Sequence, residues 1–178
     1  MTEYWDIYDA DGNKTGRLHK RGEPMQEGEY HLVVHVWVVN SNGNFLIQKR
    51  IPGTKDISNK WEAVGGHAVA GESSLQAAVR EAQEEIGIIL DPSNGQLFMR
   101  YIEKNPTHDG SAFCDVWVFK QDVNINDVVL NPGEACDAML ANAADITKMV
   151  SEGIFRSRNC YPYIDELFKK RTAITAAP

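Results

Sequence analysis

The chain has 178 residues, of which 43% are hydrophobic and 24% are charged, and this predicts a single globular domain spanning residues 1–178. The formal net charge of -7 argues against a nucleic-acid polymer as partner, because proteins that bind one usually present a broad basic face. We expect a cytoplasmic protein with no membrane partner, since no run approaches the roughly 18 to 20 apolar residues of a spanning helix and the start resembles no signal peptide.

The first third of the chain predicts short strands joined by tight turns. A strand over Trp5–Tyr8 enters a turn at Asp11-Gly12, so residues 1–29 form an N-terminal β extension. A Val-rich run from His31 to Asn40 is followed by the turn sequence Ser-Asn-Gly-Asn and then by Phe45–Arg50. These two runs and the turn between them predict a β-hairpin.

A helix is predicted over residues 73–86. Ser73 is a suitable N-cap, Gln76 completes a capping box, and Gly87 supplies the left-handed residue at which many helices end. Before this helix, Trp61–Val64 has the character of a short strand that ends at a glycine pair.

The rest of the chain predicts two more strands followed by helices. The strands span Leu97–Glu103 and Ala112–Lys120, and C-terminal helices lie within residues 144–171, over Ala144–Gly153 and Tyr163–Arg171. We expect these helices to pack on their own chain. Strands on both sides of one central helix predict an α/β fold with a mixed sheet.

Three carboxylates lie close together on the predicted central helix. Glu81, Glu84 and Glu85 stand at positions i, i+3 and i+4, on a face separate from the apolar stripe. Like charges at these spacings repel, so the cluster favours a cation among them. Oxygen ligands suit hard ions such as Mg²⁺, whereas zinc sites use Cys and His. Taken alone, the cluster is better explained as an acidic, solvated helix face.

The residues around the three acids match a longer pattern. Five residues separate Gly66 from Glu72, and seven more precede the run Arg80-Glu81-Ala82-Gln83-Glu84-Glu85-Ile86-Gly87-Ile88. This pattern resembles the signature of the Nudix family at every defining position. The resemblance implies a Nudix-type α/β/α sandwich with a mixed β-sheet, in which residues 73–86 form the catalytic helix.

The same resemblance implies a role for each matched residue. The three helix acids would bind Mg²⁺ or Mn²⁺, and the Gly66 carbonyl would be a further ligand. Glu84 would lie nearest to the attacking water. Arg80 and Glu72 would support the loop and the helix, with Glu72 also close to the metals. The implied catalytic residues are Glu72, Arg80, Glu81 and Glu84, and the implied metal ligands are Glu81, Glu84, Glu85 and Gly66.

The implied activity is hydrolysis of a diphosphate bond in a nucleoside diphosphate derivative or a similar small phosphorylated metabolite. Water would attack phosphorus while the metal ions neutralise charge on the phosphate oxygens. Nudix proteins often recruit another acid from a later loop, and Glu134 and Asp137 are the candidates here, although either is also explained as an ordinary loop acid. Proteins that this chain resembles often form homodimers.

Further residues resemble the isopentenyl-diphosphate isomerase-like branch of the family over about residues 3–120. They are Tyr30-His31, Gln48-Lys49-Arg50, Lys60-Trp61 and Gly66-His67. Isomerases of that branch use a Cys just before the Gly-His pair, where this chain has Gly65, and a Trp-Gly-Glu-His motif that Phe113–Trp117 lacks. We therefore expect a hydrolase rather than an isomerase. A non-catalytic ligand sensor, the third alternative, would usually lack one or more of the helix acids.

Basic and aromatic residues before the helix are candidates for substrate binding. Arg50, Lys55 and Lys60 can bind phosphate groups or remain solvated in their loops. Histidine side chains ordinarily titrate near neutrality, so His67 is a candidate to exchange protons or to hydrogen-bond the glycine loop. Trp61 can stack on a base or fill the core. The predicted substrate-binding residues are Arg50, Lys60, Trp61 and His67.

Overall fold

The computed structural model describes residues 2–53, 58–104 and 110–175, and Lys55 therefore lies outside the described residues. The strands in these ranges are β1 Tyr4–Tyr8, β2 Lys14–Lys20, β3 Tyr30–Val39, β4 Phe45–Arg50, β5 Trp61–Glu62, β6 Val64–His67, β7 Gly95–Glu103, β8 Ser111–Lys120 and β9 Ala135–Ala141. The helices are α1 Ser74–Ile86, α2 Ala143–Ser151 and α3 Ile164–Thr175, with short 3-10 helices at Pro92–Asn94 and Ile125–Asp127. In the part of the chain so described, no helix is long and apolar enough to cross a membrane.

Strand β3 is the centre of a single mixed sheet. It pairs in parallel with β8 along its whole length, from Tyr30 opposite Ser111 to Val39 opposite Lys120. Its other side pairs antiparallel with β1, β6 and β4 in turn. The outer strands β2, β7, β5 and β9 are also antiparallel to their neighbours. Among the described strands, one parallel pair within an otherwise antiparallel sheet confirms the predicted mixed sheet.

Helices cover both faces of this sheet. On one face, α1 buries its apolar stripe against β3 and β8, with Ala77, Ala78, Ala82 and Ile86 all inaccessible to solvent. On the other face, α2 and α3 close a second core around Trp37 with Ile146, Ile164 and Leu167. Burial of apolar surface on both faces stabilises this three-layer arrangement. The predicted α/β/α sandwich is confirmed.

The ends of α1 are fixed by the residues that the sequence indicated. The Ser73 hydroxyl accepts from the Gln76 backbone N–H at 3.3 Å, and the Gln76 side chain accepts from the Ser73 N–H at 2.8 Å. Gly87 has a φ of 69° and donates its N–H to the Gln83 carbonyl at 3.1 Å. This capping box and left-handed stop set the rotation at which the helix presents its acids.

Strand β6 continues through the glycine pair instead of ending at it. Gly65 pairs with His35 and Gly66 with Val34 on β3, so both glycines belong to the sheet. An ideal Cβ placed at Gly65 would lie 2.3 Å from the Val34 carbonyl oxygen. The close approach of two backbones, and not a turn, therefore requires glycine at this position.

Strand β9 was not predicted. Its sequence, Ala-Cys-Asp-Ala-Met-Leu-Ala, has no β-branched or aromatic residue, so its strand propensity is low. Antiparallel pairing with β4 along Ala135–Ala141 provides the hydrogen bonds that the local sequence does not favour. The prediction that Asp137 lies in a loop is therefore wrong. Asp137 stands in β9 opposite Lys49, and Glu134 directly precedes the strand.

Candidate active site

The acids of α1 pack against the glycines of β6. Glu81 and Glu85 are only 8% and 5% exposed, whereas Glu84 is exposed. An ideal Cβ at Gly66 would lie 2.4 Å from Glu81 Oε1, so the absence of a side chain there makes room for this carboxylate. The Gly65 N–H donates to Glu85 Oε2 at 3.2 Å. Helix and strand together bring the predicted residues Gly66, Glu81 and Glu85 into one buried cluster.

Arg80 ties this cluster to the loop before the helix. Its Nε and Nη2 donate to the two oxygens of Glu72 at 2.7 and 3.1 Å, and Nη2 also donates to the His67 carbonyl at 2.9 Å. Its Nη1 donates to Glu81 at 3.0 Å and to Glu84 at 2.8 Å. A guanidinium has five N–H donors, and these contacts use all of them. Arg80 therefore holds three carboxylates in place and has no N–H left for a substrate.

Three residues that sequence reasoning missed adjoin the cluster. Gln48 donates its side-chain N–H to Glu85 Oε2, and Glu62 stands opposite Gln48 in the pairing of β4 with β5. Glu62 is 3% exposed and accepts from Arg50 Nη1 at 2.9 Å and from Arg156 Nη1 at 3.2 Å. Arg156 follows α2, far from the signature in sequence, so no local pattern indicated its proximity.

The buried acids are hard to ionise in this environment. Burial raises the pKa of Glu81 to about 7, although the adjacent Arg80 opposes the rise. Burial also raises the pKa of Glu85 well above its ordinary value, and the charges of Glu81 and Glu62 add to the effect. The charge of Glu134 acts on both buried acids in the same direction. Added positive charge at this point would relieve the repulsion and favour the ionised forms.

The chemistry of this cluster fits a hard divalent cation. Its donors are carboxylate oxygens beside a glycine that leaves room for them, which are the oxygen ligands that Mg²⁺ and Mn²⁺ prefer. As the side chains stand, no group of three or more His, Cys, Asp or Glu within the described ranges is arranged to hold a metal ion. Glu84 turns its carboxylate to Arg80. Metal binding by Glu81, Glu84, Glu85, Gly66 and Glu134 therefore stays a prediction.

Of the two later acids, Glu134 lies close to the acids of α1, and Asp137 lies elsewhere, in β9. The Glu134 carbonyl accepts from the Ile51 N–H at 3.0 Å, and Asn131 in the same loop donates its N–H to the Glu85 carbonyl at 2.9 Å. This loop therefore closes over the C-terminal end of α1, with Glu134 exposed to solvent. Asp137 lies further along, within β9.

The four predicted substrate-binding residues are not gathered at one point. Arg50 pairs with Glu62 beside the acid cluster, whereas Lys60 donates to the Gly153 carbonyl at 3.0 Å in the turn after α2. Trp61 is 8% exposed and packs in the second core, a placement that favours core filling over base stacking. His67 stacks on the buried Trp5 with ring centroids 4.4 Å apart.

The raised pKa of Glu81 predicts a pH-dependent stability in the absence of divalent ions. The folded state holds this proton more tightly than the unfolded chain, so the contribution is complete below an ordinary value near 4.5 and is lost as pH rises through about 7. We expect chemical denaturation in EDTA to show a free energy of unfolding that falls by about 3 kcal/mol over this window from Glu81 alone.

Glu81→Gln is the matched variant for this effect, since the amide keeps the shape and an acceptor for Arg80 without the titration. It should show a smaller fall with pH. Adding Mg²⁺ should stabilise the unmodified protein at about pH 8 and have little effect at about pH 5, where the acids hold their protons. Identical pH profiles for the two proteins in EDTA would refute this account of Glu81.

Comparison with known proteins agrees with the fold. A family model described as NUDIX domain matches residues 29–162. An uncharacterized Nudix hydrolase of Listeria monocytogenes is 36% identical over 174 residues, which cover 97% of this chain and 98% of that protein. An isopentenyl-diphosphate Delta-isomerase of Escherichia coli is 30% identical over 93 residues, or 52% of this chain and 51% of the isomerase. A crystal structure from Deinococcus radiodurans matches with a TM-score of 0.71 at 20% identity, covering 92% and 98% of the two chains.

Proposed function

This chain belongs to the Nudix family and is a Nudix hydrolase, and from that premise we propose that it cleaves a diphosphate bond in a nucleoside diphosphate derivative or a similar small phosphorylated metabolite. The observation that carries the proposal is the buried pair Glu81 and Glu85, packed against Gly66 and Gly65. Burying two acids side by side is costly, and proteins commonly retain such pairs at functional sites. Here the two acids would supply the oxygen ligands that phosphate chemistry with a divalent ion needs.

The proposed cofactor is Mg²⁺ or Mn²⁺. Glu81, Glu84 and Glu85 would hold it, together with the Gly66 carbonyl and Glu134. When bound, the ion would neutralise charge on the phosphate oxygens and lower the pKa of water at the site.

The chain's own residues supply orientation and a place for a proton. Arg80 fixes the carboxylate of Glu72, in the loop before α1, and the carboxylate of Glu81, on α1. Glu84 is the acid of the helix trio that solvent reaches, with its side chain 57% exposed. We assign to Glu84 the proton released when water attacks phosphorus, because a carboxylate in contact with solvent can accept it and pass it on.

An isomerase reaction of the isopentenyl-diphosphate type is the alternative that the partial similarity raises. That chemistry needs a thiol just before the Gly-His pair, and at Gly65 any Cβ would lie 2.3 Å from the backbone oxygen of Val34. Cys114 does not replace it, because it is fully buried in β8 and burial raises the pKa of its thiol to about 12. A protonated, inaccessible thiol is a poor acid–base group, which supports hydrolysis over isomerisation.

Product release from a panel of compounds tests the proposal. Purified protein with Mg²⁺ or Mn²⁺ is incubated with nucleoside diphosphate sugars, nucleoside triphosphates, dinucleoside polyphosphates and isopentenyl diphosphate. We expect one class to be hydrolysed and the activity to disappear in EDTA. Rearrangement of isopentenyl diphosphate without phosphate release would favour the isomerase. Tight binding of one compound without turnover of any would instead favour a ligand sensor.

A further inference from the structure

We propose that Arg156, together with Arg50, binds a charged phosphate group of the substrate and so selects substrates that carry negative charge beyond the bond to be cleaved. This inference rests on the proposed diphosphate hydrolysis. It concerns a residue outside the signature, placed beside the acid cluster by the segment that follows α2. The two arginines are here called the arginine pair, and the buried Glu62 lies between them.

The backbone fixes Arg156 in position. The Trp61 N–H donates to the Ile154 carbonyl at 2.9 Å, and the Arg156 N–H donates to the Trp61 carbonyl at 2.9 Å. Phe155, between them, forms a parallel bridge with Trp61 and is 1% exposed. This segment therefore lies along β5 like one more strand. Its arginine is presented next to Glu62 by main-chain hydrogen bonds and a buried aromatic anchor, which limit its freedom.

The arginine pair keeps donors that nothing in the described residues uses. Glu62 takes one N–H from Arg50 and one from Arg156. Arg156 Nε is buried and has no hydrogen-bond partner. By contrast, all five donors of Arg80 are occupied by its neighbours. A guanidinium with unused N–H groups is suited to the bidentate recognition of a phosphate, and Arg80 is not.

The charge balance at this point also favours an anion. The two guanidinium groups share the one carboxylate of Glu62, so the three side chains together carry one net positive charge. The arginine side chains are 30% and 25% exposed, so each is partly open to solvent, although Arg156 Nε itself is buried. A structural ion pair would need only one arginine for Glu62. The second leaves positive charge at a partly exposed point where an anionic ligand would be stabilised.

The arginine pair adjoins the acid cluster on α1. Glu62 stands opposite Gln48 in the β4–β5 register, and Gln48 donates to Glu85. The charge of Glu62 contributes to the raised pKa of Glu85. The acids that would hold a cation and the arginines that would hold a phosphate therefore lie close together, with Gln48 and Glu62 between them. Because Glu62 and the β5 contacts hold the guanidinium groups in advance, little side-chain entropy would be lost on binding.

Calorimetric binding of inorganic pyrophosphate, with and without Mg²⁺, tests the proposal without requiring turnover. Arg156→Gln removes the positive charge and the fork of guanidinium N–H donors, whereas Arg156→Lys removes the fork but keeps the charge that balances Glu62. Arg158→Gln is the matched control, because Arg158 lies two residues further on, is exposed, and pairs with Asp165. We expect Arg156→Gln to raise the Kd for pyrophosphate by about tenfold to 100-fold, the range for a hydrogen bond between charged groups.

The pattern over the variants separates binding from a structural role. Arg156→Lys should bind with intermediate affinity, and Arg158→Gln should match the unmodified protein. If Arg156 serves only to neutralise Glu62, its variants will melt at lower temperature but bind pyrophosphate with an unchanged Kd, and the proposal is then overturned. Should Arg156→Gln fail to fold, an unchanged Kd in Arg156→Lys, which lacks the fork, overturns it equally. Weakened binding in a protein that hydrolyses nothing would keep this inference while rejecting the proposed hydrolysis.

Discussion

Glu84→Gln should lower kcat/KM by about 100- to 10,000-fold, the usual effect of removing a general acid–base group, without destabilising the fold. The Glu84 side chain is 57% exposed and forms an ion pair with Arg80 at 2.8 Å. Exposed ion pairs of this kind contribute about 0 to 1 kcal/mol to stability. The loss of activity would therefore reflect the reaction and not the fold.

The rate of product formation and the thermal unfolding transition, measured on the same preparation, check this expectation. Glu166→Gln is the matched control, since Glu166 is also an exposed helical acid paired at i, i+4, in this case with Lys170 on α3. It should keep full activity. If Glu84→Gln retained more than about half of the rate, Glu84 would not be the group that accepts the proton.

Alanine substitution at Gly66 and at Gly65 should affect different properties, activity in the first case and stability in the second. At Gly66 an added Cβ meets the carboxylate of Glu81, with Oε1 at 2.4 Å, and this is the mobile end of a side chain that can move away. At Gly65 an added Cβ meets the Val34 carbonyl oxygen at 2.3 Å, which is backbone within the sheet. Gly66→Ala should therefore displace Glu81, a proposed metal ligand, whereas Gly65→Ala should strain the pairing of β3 with β6.

Activity and unfolding separate these outcomes. We expect Gly66→Ala to lose at least about tenfold in kcat/KM with a small change in stability, because displacing a proposed metal ligand would affect catalysis more than folding. We expect Gly65→Ala to lose roughly 1 to 3 kcal/mol of stability, the typical cost of forcing extra atoms into a packed interior. Equal stability of Gly65→Ala and the unmodified protein would show that β6 is not held as closely to β3 as described.

The fold was largely predictable because its elements carry local signals. Ser73 and Gly87 mark the ends of α1 by capping chemistry, and both caps are formed. The Val-rich strand β3 and its hairpin with β4 follow from strand propensity and turn residues. Strand β9 was missed because Ala135–Ala141 has no such signal and is stabilised by its partner strand. Strand β9 therefore forms because of its pairing with β4 and not because of its own sequence.

The candidate site was predictable only where its residues share one helix and the loop before it. Glu81, Glu84 and Glu85 stand at fixed helical spacings, so their proximity follows from the sequence. The approach of Gln48 to Glu85 depends on how the sheet packs on α1, and that of Arg156 on the path of the chain after α2. Neither leaves a periodic pattern. Conversely, Trp61 lies beside the signature loop in sequence and yet is buried in the opposite core.

Mass spectrometry of products formed in isotopically labelled water (H₂¹⁸O) with Mg²⁺ tests the central claim most directly. If water attacks phosphorus, one labelled oxygen will appear in a phosphate group of a product, and the label will disappear with the activity in Glu84→Gln. A product with no label and the same mass as its substrate, or label on carbon in place of phosphorus, would contradict hydrolysis of a diphosphate bond.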